Sequence, residues 1–248
     1  MNSYLTTLGG DLLHLIAPSL CPSCDEPIST KLRGICESCR ATLTTAPYPD
    51  EMFEGLLKHH HPDELALDAI GSLFTFEQDS PVQKIIHAIK YRGCRSLGRA
   101  MGEELGLALM AFQEFSGIDL ILPVPLHKAK LRVRGYNQGE EIGVGFAKAW
   151  GIPLIYSGLK RRRHTQSQTT LSAKQRLLNV SDAFTVTTKE VAGARVLLTD
   201  DVFTTGATLN ACASALLVAG ARSVVAATVA WDEVNRDNRT AVDWEFNF

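Results

Sequence analysis

The chain has 248 residues, 45% of them hydrophobic and 21% charged, with a formal net charge of −2. That is enough apolar content for one sizeable core plus a minor module, and the slight acidity argues against a protein that coats nucleic acid over its whole surface. No stretch reaches the apolar length of a transmembrane helix, so no membrane insertion and a soluble, cytoplasmic location are expected.

Leu5, Leu8, Leu12, Leu13 and Ile16 fall on one helical face that ends at Pro18. Met1–Leu20 has no basic leader, and Asp11 and His14 interrupt its apolar run, so it reads as a helix rather than a secretory signal. Two C-x-x-C pairs follow, Cys21–Cys24 and Cys36–Cys39, separated by eleven residues. Each pair can turn tightly enough to put two thiolates on one ion, and together they complete a tetrahedral Cys₄ zinc shell. Disulfides would use the same cysteines, but nothing suggests an oxidising compartment, and a redox C-x-x-C normally comes singly. With four protein ligands there is no open position for a catalytic water. The zinc is expected to hold a small subdomain, residues 1–45, on a core separate from the rest. Of the two remaining cysteines, Cys212 reads as a core residue, whereas Cys94 carries no signal.

Residues 40–70 carry prolines and histidines and read as irregular, with 46–70 as a linker. Three consecutive histidines, His59 to His61, cannot all face one ion from a regular element and read as a solvated loop. From residue 71 to 232 the pattern alternates. Strands are predicted at Gly71–Phe76, Asp119–Val124, Pro153–Tyr156 and Arg222–Ala230. Helices are predicted at Val82–Lys90, Leu97–Phe112, Gln138–Trp150 and Leu209–Ala219. Such alternation predicts an α/β fold with a parallel sheet flanked by helices and a ligand at the carboxyl ends of the strands. Residues 233–248 form a tail.

The most informative run is Val196-Leu-Leu-Thr-Asp-Asp-Val-Phe-Thr-Thr-Gly-Ala-Thr208. An apolar strand delivers Asp200 and Asp201 to its carboxyl end, and a hydroxyl- and glycine-rich loop leads into a helix. The helix N-terminus offers unpaired N–H groups and a favourable dipole to an anion. Thr204, Thr205 and Thr208 add hydroxyl donors, and Gly206 lets the backbone, with Ala207, approach a phosphate. The two acids cannot bind phosphate; their partners are sugar hydroxyls or a hydrated Mg²⁺. Phosphoribosyl diphosphate carries all of these groups. An ordinary strand–turn–helix with a capping aspartate is the plain alternative, but capping needs one Asp or Thr rather than the whole set. A nucleotide-hydrolase P-loop is excluded because no Gly-Lys-Ser/Thr follows.

Two basic runs, Lys128 to Arg134 and Lys160 to Arg163, are expected in loops at the same sheet edge. A diphosphate leaving group needs such cations, although a charge run can equally be a solvated face.

The fingerprint run resembles that of type I phosphoribosyltransferases, departing only at Thr199, where an aliphatic residue is usual. With Lys90-Tyr91-Arg92-Gly93, Pro123-Val124-Pro125-Leu126, Arg134-Gly135-Tyr136-Asn137-Gln138, the later Arg163, Thr165, Gln168, Leu171, Arg176, Asn179 and Val180, and the four cysteines, the chain resembles the ComF/GntX family from about Leu12 to Ala230. The resemblance implies a type I phosphoribosyltransferase-like domain behind a zinc finger, with links to competence, DNA uptake and the use of external DNA, and competence-machinery proteins as partners.

If the chain is an enzyme, the sugar gains oxocarbenium-like charge while diphosphate leaves. Mg²⁺ would neutralise the leaving group. Asp200 and Asp201 would hold the ribose hydroxyls, Thr204 to Thr208 the 5′-phosphate, and Arg132, Arg134, Arg161 and Arg163 the diphosphate. His127 and His164 lie in suitable loops, but neither is singled out as a base. Two other readings stay open: a non-catalytic phosphoribosyl-diphosphate sensor, and an adaptor that holds single-stranded DNA on its basic loops.

Overall fold

The computed structural model describes residues 20–28, 34–58, 62–161 and 183–232. The helix expected over Leu5–Ile16, the run His59 to His61, the stretch Arg163 to Val180 and the tail 233–248 lie outside the described residues.

Two runs rich in β-branched and small apolar residues form the centre of the sheet. Strands β5 (Arg195–Phe203) and β6 (Ser223–Trp231) lie side by side, flanked by β1 (Ala69–Thr75) and β2 (Leu120–Pro123) in the parallel order β1-β6-β5-β2. Val196, Leu197, Leu198, Val224, Val225, Ala226 and Ala227 have no exposed surface, as strands covered on both faces require. Pro123 sits opposite Thr199, and Asp200 opposite Thr228, so β2, β5 and β6 present their carboxyl ends together. At the far edge Leu154 makes a single parallel bridge to Ile121. The strand predicted at Pro153–Tyr156 shrinks to that bridge because Pro153 has no N–H to donate and a left-handed turn at Gly151, φ 69°, enters the segment.

Helices cover both faces. On one side lie α3 (Pro81–Tyr91), α4 (Arg95–Leu109) and α6 (Gln138–Trp150), burying Ile85, Ile86, Ile89, Met101, Leu105, Ile142 and Phe146. On the other lie α2 (Pro49–Leu57) and α7 (Ala207–Val218), burying Met52, Leu56, Leu209, Cys212 and Leu216. Two glycines let α4 and α6 cross closely. A Cβ on Gly102 would lie 1.9 Å from the Ile142 carbonyl oxygen, and one on Gly145 would lie 1.9 Å from that of Arg99.

Three expectations need correction. The stretch read as irregular contains α2, opened by a capping box in which Glu51 accepts the Tyr48 N–H and held by burial of Met52 and Leu56. The run Lys128 to Arg134, expected in a loop, is helix α5, capped by His127 at its start and by left-handed Gly135 at its end. Lys160 and Arg161 belong to strand β3 (Leu159–Arg161), which pairs antiparallel with β4 (Phe184–Val186); two strands satisfy backbone groups that a loop would leave to solvent.

The four-cysteine region also differs from expectation: its described residues pack into the main core. Cys21, Ile28 and Ile35 belong to the same buried cluster as Val82, Ile85, Ile86 and Leu97. Arg40, at the end of α1 (Glu37–Arg40), donates to Glu104 of α4 at 2.6 Å, and Lys84 of α3 donates to the Ser23 carbonyl at 2.9 Å. A module this small cannot bury enough apolar surface alone, so it shares the main core.

Candidate functional site

β5 ends at Phe203, and Thr204, Thr205 and Gly206 carry the chain into α7. Gly206 occupies the N-cap with φ 74° and ψ −5°, and no side chain caps the helix. Only glycine suits this position. It lies in the left-handed region, and a Cβ there would come 2.4 Å from Cζ of Phe203. The Phe203 ring is itself stacked on Trp231, with centroids 4.8 Å apart. The first turn of α7 is tied to the preceding layer by Asn210, which donates to the Glu64 carbonyl and accepts the Ala66 N–H, each at 2.7 Å. The opening of α7 is therefore a rigid cradle whose leading N–H groups have no intrahelical acceptor. Thr204 is half-buried, while Thr205, Ala207 and Thr208 are exposed. The Thr205 hydroxyl accepts a long hydrogen bond from the Ala207 N–H at 3.4 Å.

Asp200 and Asp201 stand just before this cradle and differ sharply. Asp201 is 4% exposed, and its Oδ2 is 2.8 Å from Nζ of Lys90, in the last turn of α3. Asp200 remains partly accessible, and its Oδ1 accepts the Asp201 N–H at 2.9 Å. Burial and the neighbouring Asp201 charge push the Asp200 carboxyl well above the usual range. Burial works in the same direction on Asp201, but the ammonium of Lys90 beside it overcomes this and holds that carboxyl low. The pair is thus one firm anion beside one reluctant one.

Thr199 is wholly buried, and its hydroxyl donates to the Gly139 carbonyl at 2.9 Å, tying β5 to the first turn of α6. A hydroxyl at this strand position therefore has a partner that an aliphatic side chain would lack.

The segment Arg134 to Gln138 braces the region. Asn137 caps α6 through the Gly139 N–H at 3.0 Å and donates to the Val124 carbonyl at 2.9 Å. The buried Tyr136 hydroxyl donates to the Ile89 carbonyl, and Arg95 lies 4.7 Å over its ring. Arg134 donates to Gln138 at 3.0 Å and to the Tyr91 hydroxyl at 3.2 Å, with its guanidinium 5.0 Å from the Tyr91 ring centre. Its charge helps to hold Asp201 low.

Of the expected site residues, the structure gathers Asp200, Asp201 and Arg134 around Lys90, next to the run Thr204 to Thr208. Arg132 is exposed on α5. Arg161 is exposed on β3, 5.7 Å from the Phe184 ring centre, and Arg163 lies outside the described residues. Lys90, Gln138 and Tyr91 went unassigned from sequence. Two signals marked Lys90: its place in the motif Lys90-Tyr91-Arg92-Gly93, and a cation directly after the apolar positions Val82, Ile85, Ile86 and Ile89. His127 is a cap: its Nδ1 accepts the Ala129 N–H at 3.3 Å.

At the amino-terminal end the ligand atoms of Cys21, Cys24, Cys36 and Cys39 all lie within 4.8 Å of one another. Cys36 caps α1. The Ser38 hydroxyl and the Cys39 N–H pull its thiol down to about 6. Four clustered sulfurs fit the donor set of a structural zinc ion, and these four residues would hold it. No helix among the described residues is long and apolar enough to cross a membrane.

Residues 138–247 match the phosphoribosyl transferase domain family. The chain is 28% identical over 223 residues to competence protein F of Haemophilus influenzae, covering 86% of this chain and 90% of the relative. It is 28% identical over 218 residues to the DNA utilization protein YhgH of Escherichia coli K12, covering 85% and 96%. It is 24% identical over 208 residues to competence protein ComFC of Bacillus subtilis, covering 84% and 75%. Among solved structures, the glutamine phosphoribosylpyrophosphate amidotransferase of B. subtilis aligns with 57% of this chain and 30% of its own length, at 21% identity and a TM-score of 0.38. The domain match, the similarity to these relatives along most of the chain and the four-cysteine cluster support the ComF family, with a phosphoribosyltransferase-type domain behind an amino-terminal cysteine module.

Proposed function

We propose that the chain binds phosphoribosyl diphosphate with Mg²⁺ at the carboxyl end of β5 and transfers its phosphoribosyl group to a nitrogenous acceptor, in the service of DNA uptake or utilisation. One observation carries this reading. A single strand–loop–helix unit sets two adjacent acids, Asp200 and Asp201, beside a helix N-terminus capped only by a left-handed glycine. The cradle suits the 5′-phosphate, with N–H groups and the hydroxyls of Thr204, Thr205 and Thr208 as donors. The acid pair suits the ribose hydroxyls and the positive charge that grows at the anomeric carbon. In the reaction the bond from that carbon to diphosphate breaks, a bond to the acceptor nitrogen forms, and the acceptor gives up a proton. Bound Mg²⁺ supplies charge neutralisation to the departing diphosphate. The charge of Arg134 acts on Asp201, and Arg134, Arg132, Arg161 and Arg163 are the cations that could meet the leaving group as it forms.

A calorimetric titration with phosphoribosyl diphosphate and Mg²⁺, followed by a diphosphate-release screen over candidate acceptors, tests the proposal. Saturable binding with release on one acceptor is the expected result. Binding without release on any acceptor favours a sensor, and no binding removes the reading. The exposed basic residues of α5, Lys128 and Arg132, support one additional role: a weak, salt-sensitive contact with single-stranded DNA. Association with the proteins of the uptake machinery belongs to the same proposal.

A further inference from the structure

Among the described residues Lys90 is the cation that pairs with an acid of the fingerprint, Asp201, and its placement is more constrained than a lysine side chain needs. It leaves the last turn of α3, whose inward residues Ile85, Ile86 and Ile89 are buried. Its two chain neighbours are both held by the Arg134–Gln138 segment. The Ile89 carbonyl accepts the Tyr136 hydroxyl, and Tyr91 takes the guanidinium of Arg134 on its ring and hydroxyl. The Lys90 side chain is 18% exposed and that of Asp201 6%, with 2.8 Å between Nζ and Oδ2. A long apolar stem and a compact charge at its tip are what lysine provides here.

Resting on the phosphoribosyl reading above, we propose that Lys90 is a positioning residue of that site. It occupies Oδ2 of Asp201 and fixes that carboxylate as an oriented anion, leaving Asp200 as the acid presented to the sugar diol. The two acids of the fingerprint then do different work. Asp200, partly accessible, meets the ligand; Asp201, enclosed, sets the direction and field in which Asp200 acts. Lys90 works through Asp201 and has no direct contact with the ligand.

The test is a double-mutant cycle read by calorimetry with phosphoribosyl diphosphate and Mg²⁺, with thermal melts of each variant run alongside. Lys90→Met should weaken binding about tenfold or more, since an unpaired buried carboxylate re-orients or takes a proton. Lys90→Arg should restore most of the affinity, because it keeps the charge. Lys90→Met combined with Asp201→Asn should be no weaker than the worse single variant, because both remove the same interaction. The neutral pair also leaves no unpaired charge, so it stays folded if Lys90→Met alone does not. Fully additive losses would mean that Lys90 touches the ligand itself, and unchanged affinity in Lys90→Met would mean that it does not serve the site. Either result overturns the proposal while the phosphoribosyl reading stands. Absence of binding by the unaltered protein removes both together.

Discussion

Arg40 of the cysteine module grips Glu104 of α4 through both guanidinium nitrogens, one at 2.6 Å. This bidentate contact and the burial of Cys21, Ile28 and Ile35 against α3 and α4 join the cysteine module to the domain that carries the acids. An independent module would let the ligand site survive metal loss, and the shared core predicts otherwise. The purified protein should carry about one zinc per chain. Substitution of any one of Cys21, Cys24, Cys36 and Cys39 by Ser should release it and lower the melting temperature. It should also weaken phosphoribosyl diphosphate binding, since α3 carries Lys90. Metal analysis, a melt and a titration on one preparation check all three, and full affinity in a metal-free variant would show that the coupling is absent.

Gly206 offers a second test. Gly206→Val places a β-branched residue at φ 74° and drives its Cβ to 2.4 Å from the Phe203 ring. The left-handed strain alone costs about 1–3 kcal/mol, and relief requires Phe203 to leave its stack on Trp231. Stability and ligand binding should both fall. Thr205→Ala should cost only about 1 kcal/mol in binding, because the backbone donors remain. A melt and a titration of each variant separate these outcomes.

The acids predict opposite responses to pH. The Asp200 carboxyl is raised in the folded protein, so it costs stability at any pH above the ordinary carboxylate value, and the cost grows until the folded value is passed. Asp200→Asn should therefore raise the melting temperature near neutrality. The gain should shrink as pH falls towards the ordinary carboxylate value of about 4 and vanish below it. Asp201 is held low by Lys90, so it contributes stability above that ordinary value and loses it as pH falls through its folded value. Asp201→Asn should destabilise near neutrality by roughly 2 kcal/mol, between the ranges for buried and surface pairs. Melts of both variants across acid and neutral pH check the signs. Ligand affinity should fall in both, so Asp200→Asn gains stability while it loses function.

If α5 contacts single-stranded DNA, the contact is electrostatic. Affinity should fall steeply with salt, and replacing Lys128 and Arg132 by Ala should lower the salt slope by about one to two units. Fluorescence anisotropy with a labelled oligonucleotide measures this, and a slope unchanged by the double substitution counts against α5.

Long periodic stretches were legible. The helix predicted at Gln138–Trp150 has exactly those bounds because Asn137 caps it and Gly151 ends it in the left-handed conformation. The strand–loop–helix at residues 195–218 was legible because each of its steps carries its own chemistry. Helix α2 was missed although its capping box was present, because the prolines and histidines around it outweighed two turns of apolar spacing. Helix α5 buries none of its residues, so it has no apolar stripe to read. The Lys90–Asp201 pair was not legible at all. It joins residues far apart in sequence, and no periodicity marks which surface-looking lysine the fold will enclose. The shared core escaped for a similar reason: ligand spacing identifies a metal site but not the surface it packs against.

The most direct measurement is a crystal structure of the protein soaked with phosphoribosyl diphosphate and Mg²⁺. The account predicts the 5′-phosphate against Thr204 to Thr208 at the start of α7, the ribose diol turned to Asp200, and Lys90 still paired with Asp201. A ligand lodged elsewhere, or a phosphate that avoids the Gly206 cradle, would contradict it.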